Sequence, residues 1–162
     1  MAKIHAVLST VIALVASVTA CVTSAARTDA PVYRTAWVST YTWGNNSPPG
    51  AGIEYAKSYG YPTVHNLAGG TGTYSNPVTF ASPLSQWKPG TRIYIPFFHM
   101  YFIKEDWCAT CGTSVGRLDL WAGKASGGSP IANFWRQLRI QVSPPKGLPV
   151  DTTPLSEWTP RG

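Results

Sequence analysis

Two aspartates in the second half of the chain have the residue types and spacing that acid catalysis on sugars requires. Asp119 stands between two leucines and is followed two residues later by Trp121. Alternate side chains of a β-strand share a face, so the carboxyl and the indole are expected side by side, with the leucines opposite. Sugars stack their C–H groups on an indole while their hydroxyls donate to a carboxylate. A carboxyl in such a partly apolar setting can have the raised pKa that a general acid needs.

Asp106 is the natural second carboxylate. It ends a segment, 97–106, that is apolar first and acidic last, as expected for a buried strand that emerges into a cleft. Two carboxylates about 5–5.5 Å apart permit hydrolysis through a covalent intermediate, and about 6.5–9.5 Å permits inverting hydrolysis through a water. An ordinary structural interpretation also fits, in which Asp119 pairs with Arg117 or Arg92 on a solvated face. Asp106 then only caps a turn.

Further candidate sugar contacts come from aromatic and imidazole side chains. Tyr41 and Trp43 share one face of a strand predicted over 34–43. His65 and Tyr74 lie in a region rich in Tyr, Gly and Asn. These four residues either line a substrate cleft or serve ordinary packing, and a satisfied structural role is the expectation for His65.

The composition predicts a mainly β protein to position these residues. The chain has 162 residues, of which 12% are charged, with 15 Gly, 14 Pro, 7 Trp, 8 Tyr and 5 Phe. This length corresponds to one domain with tails, and the composition excludes a coiled coil or a disordered acidic chain. Gly/Pro turns joining many short strands suit it better than a helical bundle does.

Alternating apolar residues and turn signals predict where the strands lie. Residues 133–142 are ambiguous between a helical turn and a closing strand. Residues 143–162 contain five prolines and predict a loosely ordered Pro-rich tail. Besides 34–43, the predicted strands are 78–81, 91–96, 97–106 and 116–123.

The first 26 residues predict secretion. A short basic start is followed by an apolar stretch over 6–18 and by small residues typical of a signal-peptide cleavage site. The apolar stretch is shorter than the roughly 20 residues of a membrane-spanning helix, and no later segment supplies one. The sequence Val-Thr-Ala-Cys at 18–21 loosely resembles a bacterial lipoprotein cleavage box. Lipid anchoring through Cys21 is therefore the alternative.

Removal of the signal peptide leaves two cysteines, Cys108 and Cys111. In an exported protein this pair predicts a local disulfide. A thioredoxin-like redox centre is less suitable, because the surrounding segment reads as strand with no helix after it. We predict no metal site, since neither His65 nor His99 lies at ligand spacing from the cysteines. No cofactor is implied.

The net positive charge suggests an anionic partner that is attracted by non-specific electrostatics. Lys and Arg number 13 against 7 Asp and Glu, giving a net charge of +6. The basic residues are scattered, so we do not expect nucleic-acid binding. A secreted basic protein more readily meets cell-wall polymers or acidic polysaccharides.

Four segments resemble the double-psi β-barrel of secreted proteins: 72–81, 89–96 with its Pro-Gly-Thr start, 101–108, and Leu-Asp-Leu-Trp at 118–121. The group includes rare lipoprotein A, the 3D domain of membrane-bound lytic transglycosylase A, barwin, expansins and expansin-related endoglucanases. The resemblance covers roughly 34–123. It implies a six-stranded double-psi β-barrel with short helical turns over 27–142, whose Pro-Gly-Thr strand and Asp-bearing strand line one groove.

The resemblance also implies roles for the two aspartates. Asp119 matches the catalytic acid of the enzymes or the polysaccharide contact of the non-hydrolytic expansins, and Asp106 matches the preceding acidic position of the 3D-type pattern. Arg117 stands where expansins and related endoglucanases usually have His. If Arg117 pairs with Asp119, it lowers the pKa of that carboxyl and opposes a general-acid role. It would then help to hold a carboxylate-bearing sugar.

We therefore predict a secreted, monomeric, expansin-like β-barrel protein whose groove binds peptidoglycan, chitin or β-glucan without hydrolysing it. In this hypothesis Tyr41, Trp43 and Trp121 stack on sugar rings, while the two aspartates and Arg117 make polar contacts. Glycan cleavage of the lytic transglycosylase or endoglucanase type, through Asp119 aided by Asp106, is the enzyme alternative. A secreted effector or inhibitor that binds a protein partner is the third.

Overall fold

A computed structural model describes residues 30–112 and 116–160, which form a closed six-stranded β-barrel. Short 3-10 turns at Lys57–Tyr59 and Leu155–Glu157 are the helical elements of this described part. The strands are β1 (Val32–Tyr41), β2 (Val78–Ala81), β3 (Arg92–Ile95), β4 (Met100–Asp106), β5 (Arg117–Trp121) and β6 (Trp135–Val142). Around the barrel they are ordered β1-β5-β2-β4-β3-β6.

The barrel contains both parallel and antiparallel pairs of neighbouring strands. β1 pairs with β5 and β2 with β4 in parallel, whereas the other four neighbouring pairs are antiparallel. Parallel partners need long crossover connections, so strands distant in sequence become neighbours. Closure pairs both sides of every strand and leaves no free sheet edge.

Apolar side chains that alternate along the strands fill the barrel. Removing them from water is the main favourable term for folding, about 25 cal/mol for each Å² of apolar surface buried. On β5 the two leucines point inward while Arg117 and Asp119 remain partly exposed, as the alternation predicts. Fully buried members of the core include Val38, Phe80, Ile93, Phe102, Leu118, Leu120 and Ile140.

The predicted fold class, mainly β with a six-stranded barrel, is confirmed. Each predicted strand is present within a few residues of its predicted bounds, and the ambiguous segment 133–142 contains β6. β6 closes the barrel by pairing with both β1 and β3. The predicted signal peptide and Cys21 lie outside the described residues.

The segment after β6 packs on the barrel, so the expectation of a loosely ordered tail is wrong. The hydroxyl of Tyr101 donates to the carbonyl oxygen of Pro145 at 2.7 Å. Further along, the ring of Trp158 packs edge-on against Phe98, with ring centroids 5.4 Å apart. Prolines restrict the unfolded chain, so less entropy is lost when such a segment becomes ordered.

The described residues contain no helix that is both long and apolar enough to span a membrane.

Candidate functional site

The strand register places the two predicted carboxylates on either side of one small residue. Ala81 of β2 is opposite Asp119 of β5 on one side and opposite Asp106 of β4 on the other. Neighbouring strands lie about 4.8 Å apart, so the Cα atoms of the two aspartates are roughly 10 Å apart. The methyl side chain of Ala81 leaves space between them.

A cleft with a volume of about 410 Å³ opens at this row of residues. Its size is within the range of small-molecule sites, about 300–1,000 Å³. Its walls come from the barrel strands, from the loop after β1 and from the disulfide loop after β4. The polar side chains that line it are Tyr41, Asn45, Asn46, Ser47, Glu54, Asp106, Thr110 and Asp119.

Asp106 accepts three hydrogen bonds in this cleft. Its Oδ1 accepts from the backbone N–H groups of Glu54 at 3.0 Å and Trp107 at 2.9 Å. Its Oδ2 accepts from the hydroxyl of Tyr41 at 3.1 Å. Burial raises the pKa of Asp106 above its usual range, although these bonds and the Lys104 ammonium act to lower it. Burial therefore disfavours the Asp106 anion, while three hydrogen bonds stabilise it.

Asp119 has fewer partners. Its Oδ1 accepts from the hydroxyl of Ser39 at 2.8 Å, and the strand register explains this contact because Ser39 lies opposite it on β1. Burial raises the pKa of Asp119, and the Asp106 carboxylate raises it further, while the Ser39 bond and the Arg117 charge act to lower it. The net shift is upward.

Arg117 does not pair with Asp119, contrary to one of the expectations from sequence. Within the described residues its Nη1 donates to the carbonyl oxygen of Thr110 at 2.8 Å, and its guanidinium carbon lies 4.8 Å from the ring centroid of Trp135. Among the described residues, the ion pair that is present joins His65 to Glu105. Arg117 thus stands beside the cleft without neutralising the Asp119 carboxylate directly.

The two environments assign different protonation preferences to the two carboxylates. Asp106 has three donors to hold its anion, whereas Asp119 has one hydrogen-bond donor. When two neighbouring carboxylates interact, a proton shared by the pair resides on the one whose anion is less stabilised. The geometry therefore favours Asp119 as the acid and Asp106 as the anion.

The predicted disulfide between Cys108 and Cys111 is present, with Cα atoms 5.4 Å apart, an ordinary separation for such a bond. The two sulfurs and a carboxylate oxygen of Asp119 lie within 4.8 Å of one another. Because the sulfurs are bonded to each other, they are not thiolate ligands for a metal. The disulfide instead fixes the chain that forms the cleft wall beside Asp119.

The indole predicted to stack on sugars beside Asp119 is not accessible. Trp121 is 8% exposed and packs edge-on against Tyr41, with ring centroids 5.2 Å apart. It packs against the tyrosine that donates to Asp106 and so helps to position that hydroxyl. Trp43 is exposed and carries the Lys124 ammonium 4.8 Å from its ring centroid. It is outside the described cleft lining, and its binding role stays a prediction.

His65 has a structural role, the expectation that the sequence favoured. Its Nδ1 lies 2.7 Å from Glu105 Oε2, and its Nε2 lies 2.6 Å from Asn76 Oδ1. The hydrogen bond to Glu105 raises the pKa of His65, and the bond to Asn76 raises it further, while burial acts against them. A protonated ring can donate from both nitrogens. His65 is not among the residues found to line the cleft.

Tyr74 is also away from the cleft. Its ring packs edge-on against Tyr101 at 5.3 Å, and the guanidinium carbon of Arg92 lies 5.4 Å from its centroid. These contacts occupy the ring in packing against β3 and β4. The structure thus brings Tyr41 together with the two aspartates and separates His65 and Tyr74 from them.

Sequence reasoning missed two buried charged side chains of β4. Lys104 is fully buried, its ammonium donating to the carbonyl oxygens of Ser82 and Asp106 and lying 5.0 Å from the Tyr55 ring centroid. Burial lowers the pKa of Lys104 to about 7. The signal was available, because charged residues in a strand predicted to be buried need specific partners.

Glu105 is the second buried charge. Its Oε1 accepts from the backbone N–H groups of Val64 at 2.8 Å and His65 at 2.9 Å, and its Oε2 accepts from the hydroxyl of Thr79 at 2.7 Å. Burial acts to raise the pKa of Glu105, but these bonds and the His65 ring outweigh it and the pKa is lowered. Glu105 thereby fastens the loop before β2 to β4, which carries Asp106.

The chain is thus a closed six-stranded β-barrel with two hydrogen-bonded carboxylates in one cleft. The chain matches the family described as DDB_G0273701 N-terminal domain over residues 33–161, and it belongs to that family. The match runs through the segment after β6, which agrees with the packing of that segment on the barrel.

A relative in Dictyostelium discoideum bears the name "Uncharacterized protein DDB_G0273701/DDB_G0273221" and is 33% identical over 129 residues. The alignment covers 74% of this chain and 55% of the relative, so the chain spans about half the length of that protein. No solved structure matches the chain.

Proposed function

We propose that the protein binds a polysaccharide in the Asp106–Asp119 cleft and cleaves a glycosidic bond there, with Asp119 as the proton donor. The observation that supports this most strongly is the placement of two carboxylates across Ala81, both with raised pKa and with unequal hydrogen bonding. Pairs of titratable groups whose environments differ in this way divide acid and base roles.

The proposed reaction uses each carboxyl in the state its surroundings favour. Protonated Asp119 donates to the glycosidic oxygen as the bond to the anomeric carbon breaks. A water or a hydroxyl group of the same sugar then forms the new bond to the anomeric carbon and gives its proton to anionic Asp106, which also stabilises the positive charge that develops on the ring. Tyr41 holds Asp106 in position through its hydroxyl.

Polysaccharide binding without cleavage is the second candidate, and it was the function favoured by the sequence. Its argument was that Arg117 would lower the pKa of Asp119 by pairing with it. Because the guanidinium bonds to Thr110 instead and the pKa of Asp119 is raised, that argument is weakened and cleavage is favoured.

The double-psi superfamily, the choice of polymer and secretion are parts of the same proposal. The two parallel pairs within a closed barrel are compatible with the double-psi superfamily, and the resemblance of the aspartate segments to its 3D domains supports peptidoglycan as the first polymer to test. Secretion, which the first 26 residues predict, would bring the protein to such a polymer, and the disulfide agrees with an oxidising compartment.

The test combines sedimentation with product analysis. The protein is incubated with insoluble peptidoglycan, chitin and cellulose, the bound fraction is measured after centrifugation, and soluble fragments are identified by mass spectrometry. Asp119→Asn keeps the side-chain volume and removes the acid. Glu157→Gln, at an exposed residue of the second 3-10 turn, is the matched control.

We expect binding to one polymer with release of fragments by the wild type and by Glu157→Gln, and binding without release by Asp119→Asn. Binding with no release by any variant would establish the non-hydrolytic function. Failure to sediment with all three polymers would contradict both candidates and favour the third hypothesis, binding of a protein partner.

A further inference from the structure

An exposed pair of tryptophans lies on the outer face of β1 and β6. Trp37 is 43% exposed and Trp135 is 51% exposed. Their rings are stacked, with centroids 5.4 Å apart and planes inclined by 22°. Large aromatic side chains exposed in this way are more often found at binding surfaces than elsewhere on a monomer. We call Trp37, Trp135 and the adjoining Arg117 the indole platform.

The indole platform and the cleft are parts of one row of residues. Ser39 of β1 is opposite Trp135 of β6 on one side and opposite Asp119 of β5 on the other. Residues directly opposite each other in neighbouring strands share a face of the sheet. The row then continues through Ala81 to Asp106. It crosses five strands and measures roughly 19 Å at about 4.8 Å for each strand spacing.

Arg117 connects the two ends of this row. It is opposite Trp37 in the β1/β5 register, and its guanidinium lies over the ring of Trp135. Its Nη1 donates to Thr110, whose side chain lines the cleft. Its buried Nε has no hydrogen-bond partner within the described structure. A planar guanidinium held on an aromatic face is suited to bind a carboxylate through its terminal N–H groups.

The charge around the platform points to an acidic ligand. Neither β1 nor β6 contains an aspartate or a glutamate, and Arg139 shares the face of Trp135 by strand alternation. Arg34 and Arg136 are opposite the core residues Ile140 and Val38 and belong to the other face. Arg139 stacks on the exposed ring of Tyr33, with its guanidinium carbon 3.6 Å from the centroid. The platform and the adjoining outer face therefore carry two guanidinium groups on aromatic rings, those of Arg117 and Arg139, and this positive charge favours an acidic ligand.

We propose that the indole platform is a distal subsite of the cleft that binds a carboxylate-bearing sugar residue of an acidic polysaccharide. The sugar ring stacks on Trp37 and Trp135, and its carboxylate accepts hydrogen bonds from Arg117. The polysaccharide chain runs across the strands from Trp135 towards Asp106. This inference rests on the proposed function, because the platform is placed as an extension of the same cleft.

The test uses one polymer backbone in two charge states. Binding of galacturonate oligomers is measured by calorimetry, with a dimer that is too short to reach from the aspartates to the platform and a hexamer that is long enough. The same hexamer with methyl-esterified carboxyls has the same rings without the charges. The variants are Trp135→Ala and Arg117→Gln. Tyr59→Ala is the control, because Tyr59 is an exposed aromatic residue of the first 3-10 turn and belongs to neither the platform nor the cleft lining.

We expect the hexamer to bind about tenfold more weakly to each platform variant than to the wild type and to Tyr59→Ala. The dimer should bind all four proteins equally. The esterified hexamer should bind the wild type more weakly than the acidic one and be insensitive to Arg117→Gln.

Three results would overturn the inference in distinguishable ways. If the acidic hexamer binds the wild type and both platform variants equally, the platform is not a subsite, and fragment release by the wild type but not by Asp119→Asn would show that the proposed function stands without it. If the esterified hexamer binds the wild type as tightly as the acidic one, the ligand is not selected for its charge. If no oligomer binds the wild type while a neutral wall polymer is cleaved, the inference fails and the proposed function stands.

Discussion

Lys104 provides a quantitative test of how charge is buried beneath the cleft. Its side chain has no exposure to solvent, and burial lowers its pKa to about 7, against 10.5 when the side chain is solvated. Between these two values the unfolded chain holds a proton on Lys104 that the folded protein has largely lost. Protein stability therefore rises with pH over this interval.

The size of the effect follows from the two pKa values. Each pH unit over which one more proton is bound by the unfolded state adds about 1.4 kcal/mol to the free energy of unfolding. From pH 7.5 to pH 9.5 nearly the whole proton is involved, so the free energy of unfolding should increase by about 2.5 kcal/mol. His65 and Tyr41 also have raised pKa values in the folded protein, so the contribution of Lys104 is measured as the difference from a variant that lacks its amine.

Lys104→Met keeps the length of the side chain and removes the titrating group. Denaturant unfolding of the wild type and the variant, measured at pH 7.5, 8.5 and 9.5, should show stability rising with pH in the wild type alone. If the difference between the two proteins stays constant across the window, Lys104 is not titrating near pH 7 and the account of its burial is incorrect.

Two further stability predictions use matched changes elsewhere in the barrel. Glu105→Gln should lower the free energy of unfolding at pH 7 by about 3 kcal/mol, because several donors lose their anionic acceptor. The pKa of Glu105 is lowered by folding, so its contribution is complete above about pH 4.3 and is lost as the pH falls through the folded value. Equal acid unfolding of variant and wild type would refute this. Gly70→Ala should prevent stable folding, since Gly70 has φ +107° and an added Cβ would stand 2.0 Å from the carbonyl oxygen of Pro77, whereas Gly52→Ala meets nothing within 4 Å. Similar melting temperatures for the two glycine variants would contradict the close backbone approach.

The strands could be predicted because β5 alternates between core and surface residues and because turns rich in glycine and proline separate the strands, while the closed barrel was implied by the family resemblance. The sequence also predicted that Asp106 and Asp119 belong to one site, since each aspartate follows or interrupts a buried strand. It could not predict the direction in which Arg117 points, because that depends on Trp135 and Thr110, which are distant in the chain. Local alternation placed Trp121 beside Asp119 but did not reveal that Tyr41 covers its ring.

The order of the segment after β6 was also beyond local reasoning. Its prolines indicate an absence of regular secondary structure, which is correct, but they do not reveal the tyrosine hydroxyls and aromatic rings of the barrel that hold it. Such contacts depend on which strands become neighbours, and this follows from the crossovers.

The most direct test of the central claim is the pH dependence of fragment release from peptidoglycan by the wild type and by Asp119→Asn. Asp119 must be protonated to donate to the glycosidic oxygen, so release by the wild type should decline as the pH rises through the raised pKa of this carboxyl. Asp119→Asn should bind the polymer and release nothing at any pH. Release by Asp119→Asn at the wild-type rate, or the absence of release by the wild type from every polymer tested, would contradict the account.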